Sequence, residues 1–135
     1  MTQEPPPTTI RGRVIKGDQR GRALGFPTMN LQTLERVPPG VYAGRVMIDG
    51  RAHPAAIHAG QSPTFAPAPP VAGRRRFLIE AYLLDYAGEA YGKEVLCEFT
   101  IFLRPTRAFD DADALARQIA LDVQAAKTAL EGDPA

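Results

Sequence analysis

Thr28 and Asn30 place two small oxygen-bearing side chains two residues apart, directly after Pro27. Proline fixes its own φ and biases the preceding residue, Phe26, toward extended backbone. Along an extended segment, positions i and i+2 face the same side. A hydroxyl and an amide oxygen held together suit Mg²⁺, a hard cation that prefers oxygen ligands and commonly arrives carrying phosphate. The run Gly17-Asp18-Gln19-Arg20-Gly21-Arg22, closed by Gly25, lies just upstream. Its glycines let backbone N–H groups approach an anion, and Arg20 and Arg22 add positive charge. A plainer reading stands beside each of these. Pro-Thr-x-Asn also suits a turn, and a basic glycine loop also suits a solvated hairpin connection.

Phosphoryl transfer to a hydroxyl needs a phosphate cradle, a metal and a base. Glu80 is the candidate base, an acid between Phe77-Leu78-Ile79 and Ala81-Tyr82-Leu83-Leu84. It lies either on the watered face of a half-buried strand or in a partly apolar site that raises its pKa toward a useful value. Glu94 and Glu98 alternate along the next strand and read as solvating, and Asp85 as a turn residue at a strand end.

Other chemistries are excluded. No Walker-type phosphate loop, dinucleotide fingerprint or kinase signature set occurs, and no G-x-S-x-G elbow. Two histidines and one cysteine make no convincing zinc site. The lone cysteine, Cys97, sits in an alternating apolar run and reads as a core residue of a reducing compartment. Sixteen basic against fifteen acidic residues leave a net charge of +1, which predicts neither nucleic-acid nor membrane binding. Arg74-Arg75-Arg76 with Arg20 and Arg22 keeps a single-stranded nucleic-acid barrel as an alternative; near-neutral charge and the lack of tryptophan speak against it. The N-terminal residues lack the pattern of a secretory signal, and the expectation is a cytoplasmic, monomeric protein.

At 135 residues the chain has the size of one domain. The expected division is a disordered tail over 1–8, one domain over 9–131 and a frayed end over 132–135. Period-two patterning predicts strands over Ile10 to Lys16, Gly40 to Asp49, Arg76 to Tyr86 and Lys93 to Leu103, with a shorter one over Ala52 to Ala59. In Lys93 to Leu103, Val95, Cys97, Phe99, Ile101 and Leu103 face one way, and Glu94, Glu98 and Thr100 the other. Asp49-Gly50 is a hairpin signal. Leu115, Ile119, Val123, Ala126 and Leu130 recur at helical spacing, with Asp110 as the expected N-cap and Gly132 as the stop. Many strands and one terminal amphipathic helix argue for a small closed or nearly closed antiparallel barrel capped by that helix. The basic glycine loop and the Pro-Ala-rich stretch Pro63 to Arg75 are its prominent loops.

These parts occur in an order that resembles the riboflavin kinase family, the kinase module of bacterial FMN/FAD synthetases and its free-standing relatives. The resemblance runs from about Gly12 to Leu130. It is carried by Val14 to Gly17 with Arg20 to Leu31, by Pro39-Gly40-Val41-Tyr42-Ala43, and by Gly60-Gln61-Ser62-Pro63-Thr64-Phe65. Glu80 to Tyr86 with Tyr91 to Val95, Phe99 to Phe109, and Leu115-x-x-Gln118-Ile119-x-x-Asp122 complete it. The resemblance implies a six-stranded antiparallel β-barrel with a C-terminal helix, and phosphorylation of the riboflavin 5′-hydroxyl by ATP and Mg²⁺ to give FMN. It further implies Mg²⁺ and nucleotide phosphate on Thr28 and Asn30, and Glu80 as base. Gly17, Arg20, Gly21, Arg22, Gly25 and Pro27 would lie around the nucleotide, and Arg104 and Phe109 near the flavin.

Three positions depart from the family's common pattern. Met29 replaces an alanine, adding bulk beside the metal site; Tyr82 stands where a histidine is usual; and His58-Ala59-Gly60 replaces Asn-Ile-Gly. They motivate an alternative, a flavin- or nucleotide-binding module with impaired catalysis. The adenylyltransferase half of the bifunctional enzymes is not matched, which implies a chain that stops at FMN or an excised module.

Overall fold

A computed structural model of the chain describes residues 8–15, 28–33, 35, 37–61, 77–84, 86, 90–107 and 111–131. Six strands, β1 (Thr8–Ile15), β2 (Thr28–Gln32), β3 (Gly40–Ile48), β4 (Arg51–Gln61), β5 (Phe77–Leu83) and β6 (Glu94–Arg104), precede one helix, α1 (Ala112–Glu131). The strands close into a barrel in the order β1-β2-β5-β4-β3-β6, every neighbour antiparallel. Closure leaves no exposed sheet edge. The expected fold class is the observed one. Strand β2 is the element that periodicity missed, because five residues after a proline are too few to show a period of two.

Alternation along the strands sorts the residues into an interior and an outer wall. Val14, Met29, Leu31, Val46, Ile57, Ile79, Ala81 and Cys97 are among those packed inside. Burial pushes the Cys97 thiol up to about 12, so it behaves as a small core hydrophobe. Ala43, Ala56 and Tyr82 point outward and meet Leu115, Ile119, Ala126 and Leu130 of α1. Ala43 and Ala56 are direct partners across β3 and β4, and their small side chains let the helix lie close. The helix therefore covers the outer wall rather than capping the barrel as expected.

The hairpin at Asp49-Gly50 forms as predicted. Both residues have positive φ, 51° and 83°, as a type I′ turn requires. The helix start differs from expectation: Asp111, not Asp110, is the cap. Its Oδ1 accepts the Ala114 N–H at 2.8 Å and its carbonyl accepts the Leu115 N–H at 3.2 Å. Asp110 lies outside the described residues.

The predicted single face from Val95 to Leu103 is also corrected. Register breaks between β3 and β6 skip Thr100 and then Leu103. Such bulges reverse which residues face inward. Val95, Cys97 and Phe99 stay inside, whereas Ile101 and Leu103 turn out against the helix cluster. Phe102 now shares a side with Phe99, and Tyr42 packs edge-on to both at 5.2 and 5.4 Å. Glycine is required where the bulged strand crosses: a Cβ on Gly44 would lie 1.9 Å from the Glu98 carbonyl oxygen and 2.8 Å from Ile57. Gly44→Ala is expected to lower stability by about 3 kcal/mol or to prevent folding, read by urea unfolding. An unchanged midpoint would show that the β3–β6 crossing is not tight.

Candidate active site

The antiparallel register lines up one row of side chains across five strands of the outer wall. Asn30 of β2 pairs with Glu80 of β5, Glu80 with His58 of β4, His58 with Val41 of β3, and Val41 with Arg104 of β6. A second row runs beside it through Thr28, Tyr82, Ala56 and Ala43. Directly opposed side chains have Cβ atoms roughly 5 Å apart and diagonal ones about 7–8 Å apart. Thr28, Asn30 and Glu80 thus occupy one connected patch of wall.

Glu80 is only 3% exposed, Asn30 6% and His58 7%. The watered-face reading of Glu80 is thereby excluded, because its carboxyl lies in a buried setting within an otherwise largely apolar strand. Met29 faces the interior, where it is 4% exposed. Its bulk is turned away from Thr28 and Asn30, so the expectation that it crowds a metal site does not hold. Tyr82 stands in the helix cluster, beside Glu80 on the outer wall.

Arg104 stands opposite Val41 on the outer wall, and its guanidinium is committed to the helix. Nε and Nη2 donate to the two carboxylate oxygens of Asp122 at 2.8 and 2.7 Å, and Nη1 donates to the Pro105 carbonyl at 3.0 Å. Gln118 donates to Asp122 Oδ1 at 3.0 Å, and Arg107 donates to Gln118 at 3.4 Å. A bidentate arginine–carboxylate pair fixes orientation as well as distance. Sequence reading named Arg104 but assigned Asp122 no role. The available signal was an acid within the apolar face of α1, four residues after Gln118.

His58, one of the departures from the family pattern, occupies the central position of the row. Burial foremost, then the Arg104 charge, lower its pKa to about 4, with Asp122 opposing. The imidazole is therefore neutral near pH 7. Gly17, Arg20, Gly21, Arg22, Gly25, Pro27 and Phe109, together with the Pro63 to Arg75 loop, lie outside the described residues.

Among the described residues no group of three or more His, Cys, Asp or Glu side chains could hold a metal. The wall instead offers a hydroxyl, an amide oxygen and one carboxylate. The first two fit Mg²⁺ in the mode where waters and substrate phosphate complete an octahedron.

The family model for riboflavin kinase, Flavokinase, matches residues 4–130. The chain belongs to the riboflavin kinase family. It is 38% identical over 123 residues to the bifunctional riboflavin kinase/FMN adenylyltransferase of Pseudomonas fluorescens, covering 90% of this chain and 38% of that protein. Against the RNA-binding riboflavin kinase RibR of Bacillus subtilis it is 32% identical over 117 residues, covering 86% and 48%. The riboflavin kinase of Trypanosoma brucei shares the fold, with a TM-score of 0.60 at 22% identity over 94% of this chain and 82% of that one. The chain spans under two fifths of the bifunctional relatives, 37% and 38% for those of Listeria monocytogenes and P. fluorescens. No helix among the described residues is long and apolar enough to cross a membrane.

Two outcomes follow for this riboflavin kinase family member. Asp122→Ala leaves a partly buried guanidinium without its carboxylate and is expected to cost about 2–3 kcal/mol in urea unfolding; a loss under 1 kcal/mol would mean that the pair holds nothing. His58 titrates at about 4 when folded, against an ordinary 6.5. Between those values the unfolded chain holds more protons, so stability falls as pH drops from 6.5 toward 4, by up to on the order of 3 kcal/mol. His58→Gln should flatten that limb, and parallel pH curves for the two proteins would contradict it.

Proposed function

We propose that this chain transfers the γ-phosphoryl group of ATP to the ribityl 5′-hydroxyl of riboflavin, giving FMN and ADP. The observation that carries the reading is the register that seats Glu80 beside Asn30, with Thr28 on the same face. Family membership supplies the substrate class.

Glu80 accepts the proton of the 5′-hydroxyl as its oxygen bonds to the γ-phosphorus. The bond from that phosphorus to the β–γ bridging oxygen breaks, and ADP leaves with the bridging oxygen. A base at this point contributes about 10²–10⁴ in rate. Thr28 and Asn30 would hold Mg²⁺ on the phosphates, where the ion offsets charge on the transferred group. The glycine loop from Gly17 to Gly25, with Arg20 and Arg22, would close over ATP ahead of Pro27. Arg104 and Phe109 would border the flavin. Burial of the Asn30–Glu80 pair keeps water away from the reacting oxygen, which protects ATP from hydrolysis. The chain would act on small molecules alone, as a cytoplasmic monomer.

Incubation with riboflavin, ATP and Mg²⁺ should yield FMN, followed by chromatography. Glu80→Gln should lower kcat by about 10²–10⁴ with riboflavin binding kept. No FMN with any nucleotide or divalent metal rejects the reading, as does a Gln variant of undiminished kcat.

A further inference from the structure

His58 carries the one buried side-chain atom among the described residues that has no hydrogen-bond partner, its Nδ1. Leaving such an atom unmet costs about 1–3 kcal/mol. Native proteins rarely do so unless water or a ligand meets it. The ring lines a cavity of about 10 Å³ between α1 and the outer wall, enough for a single oxygen-sized atom. Val41, Tyr82, Leu115 and Ile119 give that cavity apolar walls, and Arg104 and Asp122 its charged end.

The position of this cavity relative to Glu80 decides which substrate it serves. Asn30 is the neighbour of Glu80 on β2, and His58 is its neighbour on β4. In phosphoryl transfer, donor and acceptor approach the moving group from opposite sides. With the phosphates on the side of Thr28 and Asn30, the His58 side belongs to the acceptor. The polar end of the cavity, His58 with Arg104 and Asp122, suits a polar edge atom of a heteroaromatic acceptor whose ring lies outside it. The small volume admits one atom of that edge and not the ring itself.

We propose that His58 determines acceptor specificity, its Nδ1 forming a hydrogen bond with one polar edge atom of the flavin ring system. This rests on the kinase reading above. A neutral imidazole offers one donor and one acceptor nitrogen, and burial keeps the ring neutral at working pH. Asparagine, usual at this place in the resembling pattern, would keep hydrogen-bonding capacity there, whereas leucine would not.

The test is riboflavin fluorescence titration, with and without ADP and Mg²⁺, beside steady-state kinetics. His58→Leu should weaken riboflavin binding and raise its KM about tenfold, with the KM for ATP unchanged. His58→Asn should recover most of that loss, which a purely structural role would not produce. Unchanged riboflavin affinity in His58→Leu overturns the assignment and leaves a structural water as the occupant. Equal losses for both substrates in both variants overturn it too. If the leucine variant does not fold, ¹⁵N spectra of the wild-type imidazole decide: Nδ1 should shift on adding riboflavin, and an unmoved resonance rejects the contact. A wild-type protein that makes FMN while either result is negative loses only the His58 assignment. One that neither binds riboflavin nor makes FMN loses the kinase reading with it.

Discussion

The register between β2, β5 and β4 is the constraint on which the site depends. Successive residues of a strand face opposite sides, so a slip of one position would carry Asn30, Glu80 and His58 into the barrel interior and expel Met29, Ala81 and Ile57. Met29, Ile79, Ala81, Ile57 and Ala59 fill that interior, and each large apolar side chain buried there contributes about 1.5–3 kcal/mol. Packing on one face of the sheet therefore fixes polar chemistry on the other. The departure at Met29 belongs to this packing side of the ledger. It fills core, and nothing about it bears on the oxygen donors two faces of the same strand hold apart from it.

A second constraint makes the outer wall a site rather than a surface. A polar row on an exposed barrel wall would be solvated and chemically ordinary. Here α1 lies along the neighbouring row, over Ala43, Ala56 and Tyr82, and the Arg104–Asp122 pair locks it to β6. Swapping either alanine for a larger residue would push the helix outward and open the His58 cavity to water. The bulges in β6 serve the same end, because the two skipped residues set Arg104 opposite Val41 rather than two positions further along β3. A broken ladder in one strand thus places the cation that anchors the helix.

The sequence made the barrel legible through a simple signal. Alternation in Gly40 to Asp49 and Lys93 to Leu103, the Asp49-Gly50 turn and the spacing from Leu115 to Leu130 are local patterns, and local patterns survive in the chain. The pairing of Thr28, Asn30 and Glu80 was also legible, through the order of short blocks and not through any one motif. What could not be read was set by contacts distant in sequence. The bulges depend on how β3 and β6 meet, where Gly44 pairs with Phe99 and Val41 with Arg104, far apart in sequence. The shift of the helix cap from Asp110 to Asp111 depends on which of two adjacent acids reaches the Ala114 N–H. His58 and Asp122 are single polar residues in apolar surroundings, and only the assembled wall shows that they share one cavity with Arg104.

The donor set itself argues for how such a site would work. Two neutral oxygens, those of Thr28 and Asn30, would bind a divalent cation weakly unless phosphate added its own charge. On the proposed reading, a wall of this composition would select the metal–nucleotide complex over either partner alone. The same economy would apply on the acceptor side, where a neutral imidazole would recognise one polar atom without adding charge near Glu80. A cationic side chain at position 58 would stabilise the Glu80 carboxylate and weaken it as a base. A neutral, buried histidine adds no such charge while still offering a hydrogen bond, which ties burial of His58 to the proposed chemistry and not only to packing.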